Sequence, residues 1–454
     1  VIIDPRRVLL VSPNIESLPD PVFPLGLASL AASLTVHGIE HRVLDLCFEK
    51  DHEEAIRRAV EAFKPGLVAV SMRNVDNVSF PHSVSYLPFY RYVVQAIRRY
   101  GEGRIVLGGS GFSLLPEPLM RYLGADVGIV GEGEHALVRL VNDLSAGKVV
   151  PRGTVLRGEP IKDLDRLPAP DRSAFDLSAY LEKGGMANLQ TKKGCPFGCI
   201  YCTYPLIEGR RVRLRSPAAV ADEVEALLDQ GADTLFVVDN TFNHPEQHAA
   251  AVCKEIGRRG LRVRWSCYAA PGHVRPELIE AMAAAGCTGV EFGSDAAEDG
   301  MLENLGKGFT VRDLESASAT CRSAGISFCH ALLLGGPGET MGTVKRTLES
   351  VVGMDPTAVI CMAGIRILPG TRLARRAAEE GVVAPNEDFL KPLFYLSPPV
   401  REELLPFLEA FSKEHPTWIF PGMKINMRRS LQEKLRRFGV KGPLWEYMRK
   451  FWRD

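Results

Sequence analysis

Short apolar runs alternate with amphipathic stretches from the beginning of the chain. Residues 8–11 (Val-Leu-Leu-Val) read as a buried strand, 25–34 has helical spacing, and 41–46 is again strand-like. A helix at 55–63, a strand at 67–72, a helix at 90–99 and a strand at 105–107 follow. The last unit runs from a strand at 126–130 through Gly131-Glu132-Gly133-Glu134 into a helix ending at 144. Five consecutive strand–helix units predict a doubly wound parallel sheet, an α/β Rossmann-like domain over residues 1–149. Residues 150–185 change character, with Pro151, Pro160, Pro168 and Pro170 among scattered aspartates, and predict a surface linker.

Alternation resumes at 186–191. Further strands are expected at 234–238, 263–267, 289–292, 326–334 and 359–367, each separated from the next by a helical stretch. Six units fall short of the eight of a closed barrel, so residues 186–369 are expected to form a partial (β/α)6 barrel with an open side. Residues 370–454 have mainly helical spacing, interrupted by Pro398-Pro399 and Pro416.

The chain has 454 residues, 46% hydrophobic and 24% charged, enough for two or three domains. Lys plus Arg and Asp plus Glu number 55 each, so no net field favours nucleic acid or an anionic membrane. No run of eighteen apolar residues occurs and the first residues are unlike a signal peptide, which predicts a cytoplasmic protein without a membrane span. Cys47, Cys253, Cys267, Cys287, Cys321, Cys329 and Cys361 stand singly on apolar segments and read as small buried hydrophobes in a reducing compartment.

Parallel sheets bind ligands at the carboxyl ends of their strands. In the first domain those ends carry Pro13-Asn14, Ser71-Met72-Arg73-Asn74, Gly108-Gly109-Ser110 and Gly131-Glu132-Gly133. The first strand–helix turn lacks G-x-G-x-x-G, which argues against a nicotinamide or flavin dinucleotide. The most informative stretch is Lys192 to Cys202, where Cys195, Cys199 and Cys202 are spaced C-x-x-x-C-x-x-C. Three thiolates on one tight loop suit three irons of a four-iron cluster and leave the fourth iron open. Structural zinc is the alternative, but the next ligand-type residues, His244 and Cys253, lie more than about forty residues away.

This triad, with Tyr201 just before its last cysteine, resembles the signature of the radical S-adenosylmethionine (SAM) enzymes. The resemblance implies a [4Fe-4S] cluster whose open iron chelates SAM, and reductive cleavage of SAM to a 5'-deoxyadenosyl radical. Ser71, the Gly108-Gly109 pair and the Gly131–Glu134 turn, in this order upstream of the triad, resemble the cobalamin-binding domain of one large subclass. Many such domains carry a cobalt-ligating His after the first strand, in a D-x-H-x-x-G motif. This chain has Ser12-Pro13-Asn14-Ile15-Glu16 there, so cobalamin is expected to bind with no His ligand. Arg73 would lie near the lower face of the corrin, or pair with a carboxylate or the corrin amides.

In the barrel half, Asp239-Asn240-Thr241-Phe242-Asn243 resembles a D-D-x-F segment of the subclass, with Asn in place of the second Asp. Asp239 is a candidate to meet the SAM ammonium or the open iron; a turn-capping role is the alternative. Glu291 and Ser294 fall where the family binds the ribose hydroxyls. Gly335-Gly336-Pro337-Gly338-Glu339-Thr340 resembles the G-x-P-G-E-T turn at the SAM pocket. Tyr268 is a candidate acid/base group, with packing as the alternative, and His330 reads as a hydrogen-bonded core residue.

From Pro421 onward ten Lys/Arg face three Asp/Glu, interleaved with Trp445, Tyr447, Phe451 and Trp452. Helical spacing favours a segment docked on the barrel over one that binds anionic substrate or nucleic acid. The resemblance covers roughly residues 6–370. It implies a cobalamin-dependent radical SAM methyltransferase that moves a methyl group from methylcobalamin to an unactivated carbon of a small natural-product-type molecule. An external flavodoxin- or ferredoxin-type electron donor and a monomeric state are expected. The alternatives are a cyclase or rearranging enzyme with the same cofactors, a methylase using a polar route, and a cobalamin sensor or carrier, which would not need the triad.

Overall fold

The computed structural model describes residues 4–17, 19–426 and 429–451. Two parallel sheets dominate it, whose central strands are buried on both faces, which is why those segments read as continuous apolar runs rather than alternating ones.

The first sheet contains β1 (Arg7–Ser12), β2 (Glu40–Asp45), β3 (Leu67–Ser71), β4 (Arg104–Gly108), β5 (Val127–Val130) and β6 (Thr154–Arg157), in the order β2-β1-β3-β4-β5-β6. All neighbours run parallel. The strand order reverses between β1 and β3, the switch point at which doubly wound sheets open a ligand crevice. Helices Leu25–Val36 and Gly133–Ser145 cover one face and His52–Phe63 and Leu87–Tyr100 the other, giving two apolar layers around a single sheet.

β6 corrects the expectation for residues 150–185. Proline and aspartate there predicted a surface linker, yet the segment adds a sixth strand to the first sheet and then forms helix Leu177–Gly184. Tyr180 on that helix is buried and its hydroxyl donates to Asp45 at 2.6 Å. Arg172, also buried, donates to Glu223 at 2.5 Å and to the Asn188 carbonyl at 2.8 Å. Such pairings depend on partners distant in sequence, so composition does not reveal them.

The second half begins with β7 (Ala187–Leu189), then the two-stranded ribbon β8 (Lys192–Lys193) and β9 (Arg213–Leu214) that closes the cysteine loop. Next come β10 (Thr234–Val237), β11 (Arg264–Ala269), β12 (Cys287–Asp295), β13 (Ser327–Leu334) and β14 (Ala358–Ala363). With β15 (Ile365–Arg366), β16 (Phe394–Tyr395) and β17 (Trp418–Ile419), the C-terminal segment is less purely helical than its spacing predicted. The large sheet runs β17-β14-β13-β12-β11-β10-β7, all parallel, so the tail supplies a seventh strand to the six expected. No helix among the described residues is long and apolar enough to cross a membrane.

The two sheets meet through the loops that follow their strands. Asp76, after β3, accepts from Arg366 at 2.8 Å in a fully buried pair. Glu132 and Glu134, after β5, pair with Arg213 at 2.5 Å and Lys193 at 3.1 Å beside the cysteine loop. Phe80 bridges to Ala363 at the end of β14. Helix Ser110–Leu114, after β4, packs against helix Tyr204–Ile207, just past the cysteines. Every one of these contacts joins a carboxyl-terminal strand end to another, so the two ligand-binding faces look at each other.

Candidate active site

The cysteine loop is held from several sides. Gly194 lies at φ +94°, where a Cβ would sit 2.3 Å from the Arg211 carbonyl, so only glycine lets the loop pass this close to the segment leading into β9. The Cys195 amide donates to the Gly209 carbonyl at 3.1 Å, and the Ile200 amide to the Leu305 carbonyl at 3.0 Å. Glu208 accepts from the Gly194 amide at 2.9 Å and from Asn240 at 2.7 Å, tying this loop to the one after β10.

Cys195 is buried, Cys199 and Cys202 half-buried. Burial pushes the Cys202 thiol up to about 12 and raises Cys195 as well, and each thiol feels the others. The Phe197 backbone at Cys195, the Tyr204 backbone at Cys202 and the Lys307 charge at both oppose the effect of burial. A thiolate trio with amide donors and one buried cation fits the ligands of an iron–sulfur cluster, whose potential such hydrogen bonds tune.

That cation is set by a group the sequence did not single out. Asp295 ends β12 at φ +65° and pairs with Lys307 at 2.6 Å, both side chains buried. The Tyr201 hydroxyl also donates to Asp295, and Lys307 reaches Cys199. The aromatic position before the last cysteine is thereby anchored to a barrel strand end. An acid after the Gly293-Ser294 pair was the only sequence signal, and Lys307 carried none.

Three expected contacts are corrected. Asp239 does not face the cleft: it is fully buried, accepts from the Thr191 amide at 2.7 Å and hydroxyl at 2.5 Å, and lies 3.6 Å from the Lys192 ammonium. Both oxygens serve the strand entering the cysteine loop, so it positions that loop. Ser294, expected near ribose, is fully buried with its hydroxyl 2.7 Å from His330 Nδ1, while Nε2 meets Ser318 at 3.0 Å. Burial lowers His330 to about 3, a neutral core histidine as its sequence suggested. Glu291 lies in the middle of β12 rather than at its end, facing inward beside Tyr268.

In the Gly335–Thr340 turn, Gly335 takes φ +93° and the amides of Gly335 and Gly336 both donate to Glu339, the second at 2.9 Å. The turn is braced from within, and its main-chain donors point to its own acid rather than outward. Burial raises Glu339 to about 7. Pro337 sits between these glycines and Gly338, whose φ is +82°.

Across the cleft, the first sheet presents a different surface. Gly109 (φ +94°) lies under Met72, where a Cβ would meet the Met72 carbonyl at 2.5 Å. Ser110 donates to the Arg73 carbonyl at 2.7 Å and the Tyr90 hydroxyl to the Asn74 carbonyl at 2.8 Å. Pro13, Asn14, Ser71, Gly108, Gly131 and Gly133 occupy the neighbouring strand ends. Glu132, expected with them, has its carboxylate taken by Arg213 and the Ile161 amide. Arg73 is exposed, and among the described residues no carboxylate pairs with it. Its charge nevertheless acts on Tyr204 and Tyr268 of the barrel half, so it lies on the side of this face turned to the barrel.

Known protein families divide the chain in the same two parts. Residues 11–141 match the B12 binding domain and residues 189–351 the radical SAM superfamily. A solved radical SAM methyltransferase, TsrM from Kitasatospora setae with cobalamin and a [4Fe-4S] cluster bound, superposes with a TM-score of 0.86 at 27% identity, covering 98% of this chain and 97% of that one. The chain belongs to the cobalamin-dependent radical SAM enzymes. A second structure of that protein, with tryptophan substrate and the SAM analogue aza-SAM, gives the same score at 28% identity. Tryptophan 2-C-methyltransferase of Streptomyces laurentii is 29% identical over 82% of this chain and 74% of its own length.

Proposed function

We propose that this enzyme transfers a methyl group to an unactivated carbon of a small molecule held between its two strand-end faces, with L-tryptophan the first substrate to try. The observation that carries the reading is the cleft itself: Arg73 on one side and Tyr268 on the other lie within electrostatic reach of each other, next to the cysteine loop. Transfer between bound groups requires them within van der Waals reach, and facing strand ends provide that.

Cys195, Cys199 and Cys202 would hold a [4Fe-4S] cluster, Tyr201 and the Gly335–Pro337 turn would border SAM, and the loops of β1, β3, β4 and β5 would carry cobalamin. When bound, these groups supply the methyl group and its activation. The chain's own residues provide position and charge. Arg73, unpaired and exposed, would sit beneath the corrin, where a cation disfavours added positive charge on cobalt and no imidazole replaces it. Lys307 and Asp295 hold Tyr201 and Cys199 in fixed relation. Tyr268, a large side chain left 42% exposed, would meet the substrate. An external low-potential protein would deliver electrons.

The test is anaerobic incubation of the reconstituted protein with SAM, reductant and L-tryptophan. Methyl transfer yields S-adenosylhomocysteine and a methylated product. 5'-Deoxyadenosine in equal amount would mark a radical route, and its absence a polar one. 5'-Deoxyadenosine without S-adenosylhomocysteine would overturn the reading in favour of cyclisation or rearrangement.

A further inference from the structure

The lower mouth of the barrel is closed by the end of the chain. Residues Leu444–Tyr447 form one 3-10 turn whose Trp445 is buried against Cys329 and Ala358 on the inner faces of β13 and β14. The next residue, Glu446, accepts from the hydroxyls of Ser266 and Thr288, the latter at 3.2 Å. Room for it exists because position 289 is glycine: a Cβ there would lie 2.3 Å from Glu446 Oε1. Arg436 pairs with Asp20 at 2.6 Å, Lys441 with Asp233 at 2.6 Å, and Arg449 with Asp355. Asp233 and Asp355 precede β10 and β14, so these pairs fasten the segment to the amino-terminal rim of the barrel.

Glu291 stands directly on this floor. The Trp445 Nε1–H donates to its Oε1 at 2.6 Å, and among the described residues no cation pairs with the carboxyl. Tyr268 is its neighbour on β11, and Glu446 adds a like charge from below. Burial raises Glu291 to about 7, with Trp445 opposing the rise and Glu446 adding to it. A carboxyl inside a barrel with one neutral donor and a second acid nearby lacks a countercharge. The side of the barrel still open is the end where Tyr268 is exposed, and a cation entering there would supply the countercharge this carboxylate lacks.

We propose that Glu291 recognises a protonated amine on the substrate, and that Trp445, delivered by the C-terminal segment, positions its carboxylate for that contact. This deepens the methyl-transfer reading and rests on it only in that the substrate occupies the cleft. An ammonium–carboxylate pair formed away from water is a charge-assisted hydrogen bond, stronger than a neutral one. The groups facing this carboxyl are Tyr268 from β11, Cys329 from β13, and Trp445 and Glu446 from the tail, with Arg73 reaching Tyr268 from the opposite domain. Glu291, raised to about 7, changes charge across neutrality, and burial raises the neighbouring Glu446 as well. Amine affinity therefore rises as pH is taken from 6 to 8 through about 7, while the amine itself remains protonated.

Binding to the holoenzyme of three probes decides the matter: L-tryptophan, tryptamine, which keeps the amine alone, and indole-3-propionate, which lacks it. L-Tryptophan and tryptamine should bind at least about tenfold more tightly than indole-3-propionate, and Glu291→Gln should abolish that preference and its pH dependence. Trp445→Phe keeps an aromatic ring, smaller than indole, and removes the donor. In that variant the protonated-carboxyl infrared band assigned by difference to Glu291 should persist to higher pH, a change that a loss of packing alone does not produce. Equal binding of all three probes, no binding of any, or a preference retained in Glu291→Gln would each overturn the proposal. Amine preference without methylation of tryptophan would leave it standing and remove the substrate from the preceding reading.

Discussion

The two strand-end faces of this enzyme are built on opposite electrostatic plans. On the barrel side nearly every charge near the cysteine loop already has a partner inside the protein: Asp239 with Lys192, Asp295 with Lys307, Glu208 with Asn240. On the other face Asp76, Glu132 and Glu134 pair with cations of the barrel half, but Arg73, in the loop after β3, is exposed with no carboxylate partner among the described residues. Buried ion pairs cost desolvation and contribute little net stability, but breaking one leaves a charge stranded. Prepaired charges therefore suit a loop that must hold an inorganic cluster rigidly, whereas an unpaired cation suits a face that gains its partner on binding a large cofactor.

The strongest way to break this contrast is at the thiols. Replacing Cys195, Cys199 and Cys202 together by Ala should abolish the visible charge-transfer absorption of the reconstituted protein, with iron falling to background. Retention of about four irons per chain in that triple variant would mean the cluster is held elsewhere.

A smaller but still large effect is expected at Asp239. Asp239→Ala removes the acceptor of the Thr191 amide and hydroxyl and strands the buried Lys192 ammonium. The expected loss is about 3–5 kcal/mol in chemical denaturation of the apoprotein. A direct catalytic role instead predicts near-wild-type stability with activity lost.

Arg73 should behave in the opposite way. Arg73→Gln should change apoprotein stability by no more than about 0.5 kcal/mol, since nothing in the described protein pairs with it. Cobalamin retention and turnover should both fall. Electron paramagnetic resonance of the cob(II)alamin form of the wild type should lack the nitrogen splitting of an axial imidazole; observing that splitting would place a His under cobalt and remove Arg73 from that position.

The difference between the faces also explains how far each was legible. Local patterns carry what local geometry demands: three cysteines on one loop, glycines where φ is positive at 109, 194 and 335, and apolar runs for strands buried on both faces. Asp239, Glu291 and Ser294 were found as strand-associated polar residues, but direction along the pleat and the identity of the partner decide whether such a residue faces a ligand or the core. Ser294 points to His330 and Asp239 to Thr191, choices made by residues 36 and 48 positions away.

By itself the sequence determined the two parallel α/β halves and, through the cysteine spacing, the family, because strand periodicity and thiol spacing are properties of neighbouring residues. Tertiary structure alone decided the rest. It turned the proline-rich segment at 150–185 into β6 and a packed helix, and the C-terminal segment, expected to be mainly helical, into a seventh strand and a barrel floor. It also joined Lys307 to Asp295 and Trp445 to Glu291. Of the tail's expected aromatic residues, Trp452 and the Phe451 side chain lie outside the described residues. The physical reason is desolvation: a buried charge or indole N–H must find a partner, and which partner is in reach depends on how distant segments pack, not on the residues beside it.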